Sequence, residues 1–125
     1  MNDAILRFIL IVISAVTVIT GMLQLMFPSA MLNLVAASSN PISSHLFGTV
    51  GMFMLITGAL FLQSLLRHSR ENVIPLWIGV QKTLAATLLM WAWYSDMFLS
   101  IVLLVAGFDA VSGVLCFVFW HRMSK

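Results

Sequence analysis

Four long apolar blocks dominate this sequence and restrict the folds available to it. They cover about residues 4–27, 45–66, 73–93 and 98–120. Each is long enough to cross a hydrocarbon core, which needs about 20 helical residues. The chain has 125 residues, of which 62% are hydrophobic and 8% charged, and a soluble domain of this size could not bury so much apolar surface. The sequence therefore predicts an all-α integral membrane protein, a single membrane domain over residues 1–125 with four transmembrane helices in an up-and-down bundle.

The connections between the blocks differ in length. The first, PSAMLNLVAASSNPISS, contains Pro28, which suits the first turn of a helix. Residues 30–37 are expected either as a short helix at the membrane interface or as an irregular loop, and Asn40-Pro41 is typical of a stop and turn. The other connections, RHSREN and YSDM, are short, so the helices that they join should be antiparallel neighbours. A cleavable signal peptide is an alternative for the first block, although its apolar run exceeds a typical signal core.

The basic residues predict the orientation in the membrane. Arg7 lies at the start of the first block, Arg67 and Arg70 in the second connection, and Arg122 and Lys125 at the end of the chain. With four spans these positions share one side, and the opposite side has no Lys or Arg. The positive-inside rule then predicts cytoplasmic termini in a bacterial inner membrane. Because the cations do not form one soluble basic face, we expect the lipid bilayer and no nucleic acid as partner.

Small residues recur at helical spacing in every block. Transmembrane helices associate through such residues because they allow the backbones to approach closely. The glycines expected at helix contacts are Gly21, Gly48, Gly51, Gly58, Gly79 and Gly113.

The topology places two charged residues, Lys82 and Asp109, deep inside the predicted spans. At about 1.5 Å of rise per residue, they lie roughly 13 and 16 Å from the cytoplasmic boundary. An isolated charge at the bilayer centre costs at least ~2.5 kcal/mol, so we expect the two to pair, with Gln81 and Ser112 as polar neighbours. Two interpretations remain open. The pair could fix the register of the third and fourth helices, or it could form a protonatable or ligand-coupled centre.

Gln24 and His45 are the candidates for a further polar cavity. A histidine at the start of the second block could ligate haem or the magnesium of a chlorin, or respond to pH. The three histidines are far apart along the chain and lack accompanying carboxylates, so no metal site is expected. No cofactor is predicted, with contact to a pigment, haem or quinone left open. The single cysteine, Cys116, excludes an internal disulfide.

Four segments resemble a known group of proteins. FPSAMLNL, HLFGTVGMFMLITGALF, WIGVQK and AGFDAVSG are similar to small bacterial four-helix membrane proteins of the loose DoxX-like group, which are mostly of unknown function. Distant relatives in the broader set, with the EXPERA-type bundles, bind sterol-like or other apolar ligands in a central cavity. That resemblance implies Asp109 and Gln24 as polar anchors. The chain departs from the EXPERA pattern because its acid has a lysine partner.

No P-loop, nucleophile elbow or glycine-rich phosphate site occurs in the sequence, and no nucleophile, base and orienting group can be assembled. We therefore expect a non-enzymatic protein. The leading hypothesis is an accessory or assembly subunit that packs against a larger membrane complex, with other membrane subunits or further copies of itself as partners. The alternative is a carrier or binder of a small apolar or protonatable ligand, centred on Lys82 and Asp109.

Overall fold

The computed structural model describes residues 2–124, and within that range it is all-helical, without a β-strand. Its five helices are α1 (Asp3–Met26), α2 (Pro28–Val35), α3 (Pro41–Leu66), α4 (Val73–Tyr94) and α5 (Val102–Met123). All but α2 are long and apolar enough to cross a membrane. The helical fold class is thus confirmed at that level.

The start of α3 differs from the sequence prediction. Asn40 is its N-cap: the Asn40 side chain accepts a hydrogen bond from the Ser43 N–H at 2.9 Å, and the Ser43 hydroxyl accepts one from the Asn40 N–H at 2.9 Å. Pro41 occupies the first turn, where its missing N–H is not needed. The Asn-Pro pair therefore begins a helix, four residues before the expected start at residue 45, and does not act as a stop.

Two other boundaries also differ from the expectations. The short helix α2 spans Pro28–Val35, two residues earlier than the expected 30–37, because Pro28 forms its first turn. The last helix begins at Val102 and not near residue 98, because the backbone at Phe98 forms an isolated antiparallel bridge with Ala36.

Two helices end in the same C-terminal motif. At the end of α4 the Asp96 N–H donates to the Trp93 carbonyl at 3.0 Å and the Met97 N–H to the Ala92 carbonyl at 2.9 Å, which is the Schellman pattern. His68 holds the equivalent position after α3. The φ angles of His68 and Asp96 are 53° and 63°, in the left-handed region that usually requires glycine. For a residue with a Cβ that conformation costs roughly 1–2 kcal/mol.

The long helices form two close antiparallel pairs. α1 packs along α3, and α4 packs along α5, whereas contacts between the pairs are much sparser. In the first pair Gly21 meets Gly51, while Arg7, two turns into α1, donates a hydrogen bond to the carbonyl of Leu65 near the end of α3.

The main apolar core lies near one end of the four long helices. It joins both pairs and consists of Leu6, Leu10, Ile13, Phe61, Leu65, Ile78, Cys116 and Phe119. Asp3 and Arg122 form an ion pair at 2.6 Å there, and the Asn72 amide donates to the Ser124 hydroxyl at 2.9 Å. We call this the termini end, because both ends of the described chain and the α3–α4 connection meet there. The opposite end, which contains the Ala36–Phe98 bridge, is the bridge end.

Candidate functional site

The structure brings together the two charged residues that lie deep inside the apolar blocks. Lys82 is on α4 and Asp109 is on α5, and the Lys82 Nζ lies 3.4 Å from the Asp109 Oδ1. The sequence predicted this contact for two reasons. The tight connection makes α4 and α5 antiparallel neighbours, and the two residues lie at nearly equal depth along them. An ion pair joining adjacent helices is the result.

A third residue completes the site. The Lys82 ammonium donates a hydrogen bond of 2.8 Å to the Thr17 hydroxyl on α1, which itself donates to the Ile13 carbonyl at 3.0 Å. The bond to Thr17 is shorter than the contact with Asp109, and it joins the α4–α5 pair to the α1–α3 pair. Lys82 thereby links three of the four long helices.

The charged groups are largely shielded from the outside. The side chains of Lys82 and Asp109 are only 8% and 13% exposed. The Phe108 ring lies 5.3 Å from the ammonium, a distance at which the ring face attracts a cation. Within residues 2–124, no buried side-chain nitrogen or oxygen is left without a hydrogen-bond partner. The charges are therefore compensated by groups of the protein itself, as buried charges require.

The predicted polar neighbours of the pair bond elsewhere. The Gln81 amide donates to the Thr57 hydroxyl on α3 at 3.4 Å, which makes a second polar contact between the helix pairs. The Ser112 hydroxyl donates to the carbonyl of Phe108, one turn earlier in its own helix, at 2.7 Å. Gln81 thus joins α4 to α3 next to the ion pair, and the hydroxyl of Ser112 bonds within α5.

A small cavity lies beside the ion pair, between α1, α3 and α4. Its lining includes Thr17, Thr57, Gln81 and Lys82, and its volume is ≈ 10 Å³. A cavity needs about 10–15 Å³ to hold one water molecule. The space is therefore at the limit for a single water and far below the size of a sterol, quinone or haem.

Gln24 and His45 do not form the polar cavity that the sequence indicated. Gln24 is buried between α1 and α3, where its amide donates to the Phe47 carbonyl at 3.3 Å. The side chain of His45 is exposed at the start of α3. The first residue therefore acts in helix packing, and the second faces away from the interior.

The six glycines named from the sequence lie at helix contacts. The closest approach is between α1 and α3, where an added Cβ would lie 2.5 Å from the Gln24 Cβ at Gly51 and 2.6 Å from the Gly51 carbonyl oxygen at Gly21. Three other glycines face side chains. Gly48 faces the ring of Pro28, Gly58 faces the side chain of Val18, and Gly79 faces the ring of Phe117. A Cβ at the sixth, Gly113, would lie 2.6 Å from the Thr83 hydroxyl.

Thr17 is the site residue that sequence reasoning missed. It was visible only as part of a stripe of small and polar residues, Ser14, Thr17, Gly21 and Gln24. The long first connection leaves open how α1 meets α4. A polar residue near the middle of an apolar span was the one available signal.

No protein-family model, curated protein or solved structure matches this chain. The DoxX-like resemblance therefore stays a prediction.

Proposed function

We propose that α1, α3, α4 and α5 span a bacterial inner membrane, with the termini end on the cytoplasmic side. The basic residues support this orientation: Arg7, Arg67, Arg70 and Arg122 lie at or near that end, and Lys125, which is outside the described residues, follows Arg122 in the sequence. No Lys or Arg occurs in residues 8–66 or 83–121, so the bridge end is free of basic residues. That asymmetry is the one the positive-inside rule describes.

Within that membrane, the protein acts as a small non-enzymatic accessory or assembly subunit. One observation carries this proposal: Lys82 and Asp109, two charged residues well inside the long apolar helices, compensate each other at 3.4 Å, beside a cavity of ≈ 10 Å³. A reactive or transporting centre needs access for a substrate or an exchangeable group, and this space provides at most one water site. The polar groups instead join helices.

The outer surface agrees with a role in assembly. Large apolar side chains are exposed along every long helix, among them Phe8, Phe53, Leu88 and Leu104. Lipid tails and the apolar faces of other membrane subunits can both cover such side chains. Because lipid and protein are equally apolar there, close packing decides whether a partner binds.

Purification from the native membrane in a mild detergent tests the proposal. We expect partner chains to copurify with the protein in a fixed ratio, with no small molecule bound at Lys82 and Asp109. A single homogeneous species, without partner or ligand, would contradict the subunit role.

The alternative is a carrier or binder centred on Lys82 and Asp109. It predicts an apolar or protonatable molecule that copurifies with the wild type and is lost from D109N. The matched control is D3N, which removes an exposed carboxylate at the termini end. A ligand lost equally from both variants would not be bound at the ion pair.

A further inference from the structure

A second and larger hollow lies at the bridge end, remote from the Lys82 site. It is open to the outside, has a volume of ≈ 540 Å³, and lies between the α4–α5 connection and the segment that follows α2. Its lining residues are Ala37, Trp93, Tyr94, Asp96, Phe98, Leu99 and Ser100. Three aromatic residues and one carboxylate thus line an open space large enough for a small organic molecule.

Asp96 has no cationic partner in the described chain. Among residues 2–124 the ion pairs of the carboxylates involve Asp3 and Asp109, and none involves Asp96. The nearest lysine along the chain, Lys82, is buried and bound to Asp109 and Thr17. The other titratable side chains at this end are the exposed His45 at the start of α3 and Tyr94, which lines the hollow. The hollow therefore presents a negative charge that no basic side chain neutralises.

The conformation of Asp96 is unusual for a residue with a side chain. It occupies the left-handed C-terminal position of the Schellman motif with a φ of 63°, where glycine is the common residue. A strained backbone that persists in a fold is a reason to look for a role of its side chain. Glycine would remove the strain, but it would also remove the carboxylate from the hollow.

Backbone and side-chain hydrogen bonds fix the walls of the hollow. The Ala37 N–H donates to the Met97 carbonyl at 3.1 Å, and the Leu99 N–H donates to the Val35 carbonyl at 2.6 Å. The indole N–H of Trp93 donates to the Ser100 hydroxyl at 3.4 Å, which ties the end of α4 to the connection that precedes α5. The rings and the carboxylate are therefore held on a braced turn.

From these features we infer that the hollow binds a small alkylammonium cation, of the choline or tetramethylammonium type. Aromatic faces attract quaternary ammonium groups. A carboxylate adds a negative charge that attracts such a cation, although a quaternary nitrogen has no proton to donate. Metal ions are a poorer fit because one carboxylate offers too few oxygen ligands. The cation could belong to a lipid headgroup or to a soluble molecule. Only the lipid source rests on the membrane placement proposed above.

The test is a titration of the protein in a maltoside detergent, which carries no ammonium group. Tetramethylammonium chloride is added at constant ionic strength, with sodium chloride as the reference salt, and binding is followed by NMR of the indole N–H of Trp93. We expect the Trp93 indole signal to shift saturably with tetramethylammonium chloride and not with sodium chloride. D96N should bind about tenfold more weakly, since it loses the charge but keeps a residue that tolerates the left-handed conformation.

Two further variants keep the result interpretable. E71Q removes an exposed carboxylate at the termini end and should bind like the wild type. D96G removes the carboxylate and the strain together, so it should lose binding while its melting temperature does not fall. Absence of saturable binding to the wild type, or equal binding by the wild type and D96N, would overturn the inference.

The two sources of the cation are then separated in nanodiscs. If the ligand is a headgroup, phosphatidylcholine nanodiscs should already shift the Trp93 signal, and added tetramethylammonium should shift it little further. If the ligand is soluble, the titration should be the same in phosphatidylcholine and phosphatidylglycerol nanodiscs. Either pattern supports the site, whereas no response in any of the three media contradicts it.

Discussion

At the scale of single residues, Lys82 shows how a charge is accommodated in an apolar helix bundle. Its ammonium has an anionic partner, a neutral hydroxyl partner and an aromatic face, provided by Asp109, Thr17 and Phe108. Taking two charges out of water is costly, and pairing recovers that cost only when the remaining donors are also satisfied. Removal of one partner therefore matters more than removal of both.

A double-mutant cycle measures this difference. K82M leaves the Asp109 carboxylate without a cation, and D109L leaves the Lys82 ammonium without an anion. Each single variant should lose roughly 3 kcal/mol of unfolding free energy, whereas the double variant should lie within about 1 kcal/mol of the wild type. Reversible unfolding in mixed micelles, followed by circular dichroism, gives the three values. Additive losses would show that the ion pair contributes no coupling.

Thr17 can be tested with a matched control on the same helix. T17V keeps the shape of the side chain but removes the hydroxyl that accepts from Lys82, and it should cost about 1 kcal/mol of unfolding free energy. The control is T20V, because the exposed Thr20 hydroxyl donates only to Val16 of its own helix. Equal effects of the two variants would mean that the contact between the helix pairs adds nothing.

His68 gives a prediction of opposite sign. H68G should raise the unfolding free energy by about 0.5 kcal/mol, because relief of the left-handed strain outweighs the greater freedom of glycine in the unfolded chain. H68A keeps the Cβ and should show no such gain. A melting temperature for H68G that is equal to or below that of H68A would be inconsistent with strain at this position.

At the scale of helices, glycine contacts hold α1 against α3. A Cβ at Gly51 would lie 2.5 Å from the Gln24 Cβ, 2.7 Å from the Gly21 oxygen and 2.9 Å from the Leu25 nitrogen. Backbone atoms cannot avoid a clash by adopting another rotamer as a side chain can, so G51A must push α1 and α3 apart.

We expect G51A to cost about 2 kcal/mol of unfolding free energy. G107A is its control, since a Cβ at Gly107 meets no atom within 4 Å. Alanine favours a helix over glycine, and G107A should therefore be neutral or stabilising by up to ~1 kcal/mol. The same micelle unfolding assay measures both variants. A loss for G51A no larger than that for G107A would rule out close packing at Gly51.

The helices also show how far the sequence predicts this fold. The four apolar blocks and the depth of Lys82 and Asp109 depend on local patterns, so they were predictable. The start of α3 at Pro41 was not, because Asn-Pro signals a helix stop as well as a cap followed by a first turn. Thr17 was missed because its contact joins helices that are distant in sequence, and no local pattern sets that geometry.

At the scale of the whole molecule, polar contacts join two closely packed helix pairs. Lys82–Thr17 and Gln81–Thr57 lie in the middle of the helices, and Asp3–Arg122 lies at the termini end. At the bridge end, the backbone bridge between Ala36 and Phe98 connects them. The polar groups thus join the helix pairs in the interior, and large apolar side chains are exposed on the outer surface.

We propose that the buried ion pair joins helices inside an assembly subunit and takes no part in a reaction. The most direct test is purification of the K82M/D109L double variant from the native membrane in mild detergent, beside the wild type. We predict that the variant is folded and copurifies with the same partner chains in the same ratio. A purely structural role would be contradicted if the variant is as stable as the wild type but no longer copurifies with those chains. It would also be contradicted if so stable a variant fails to replace the wild type in cells.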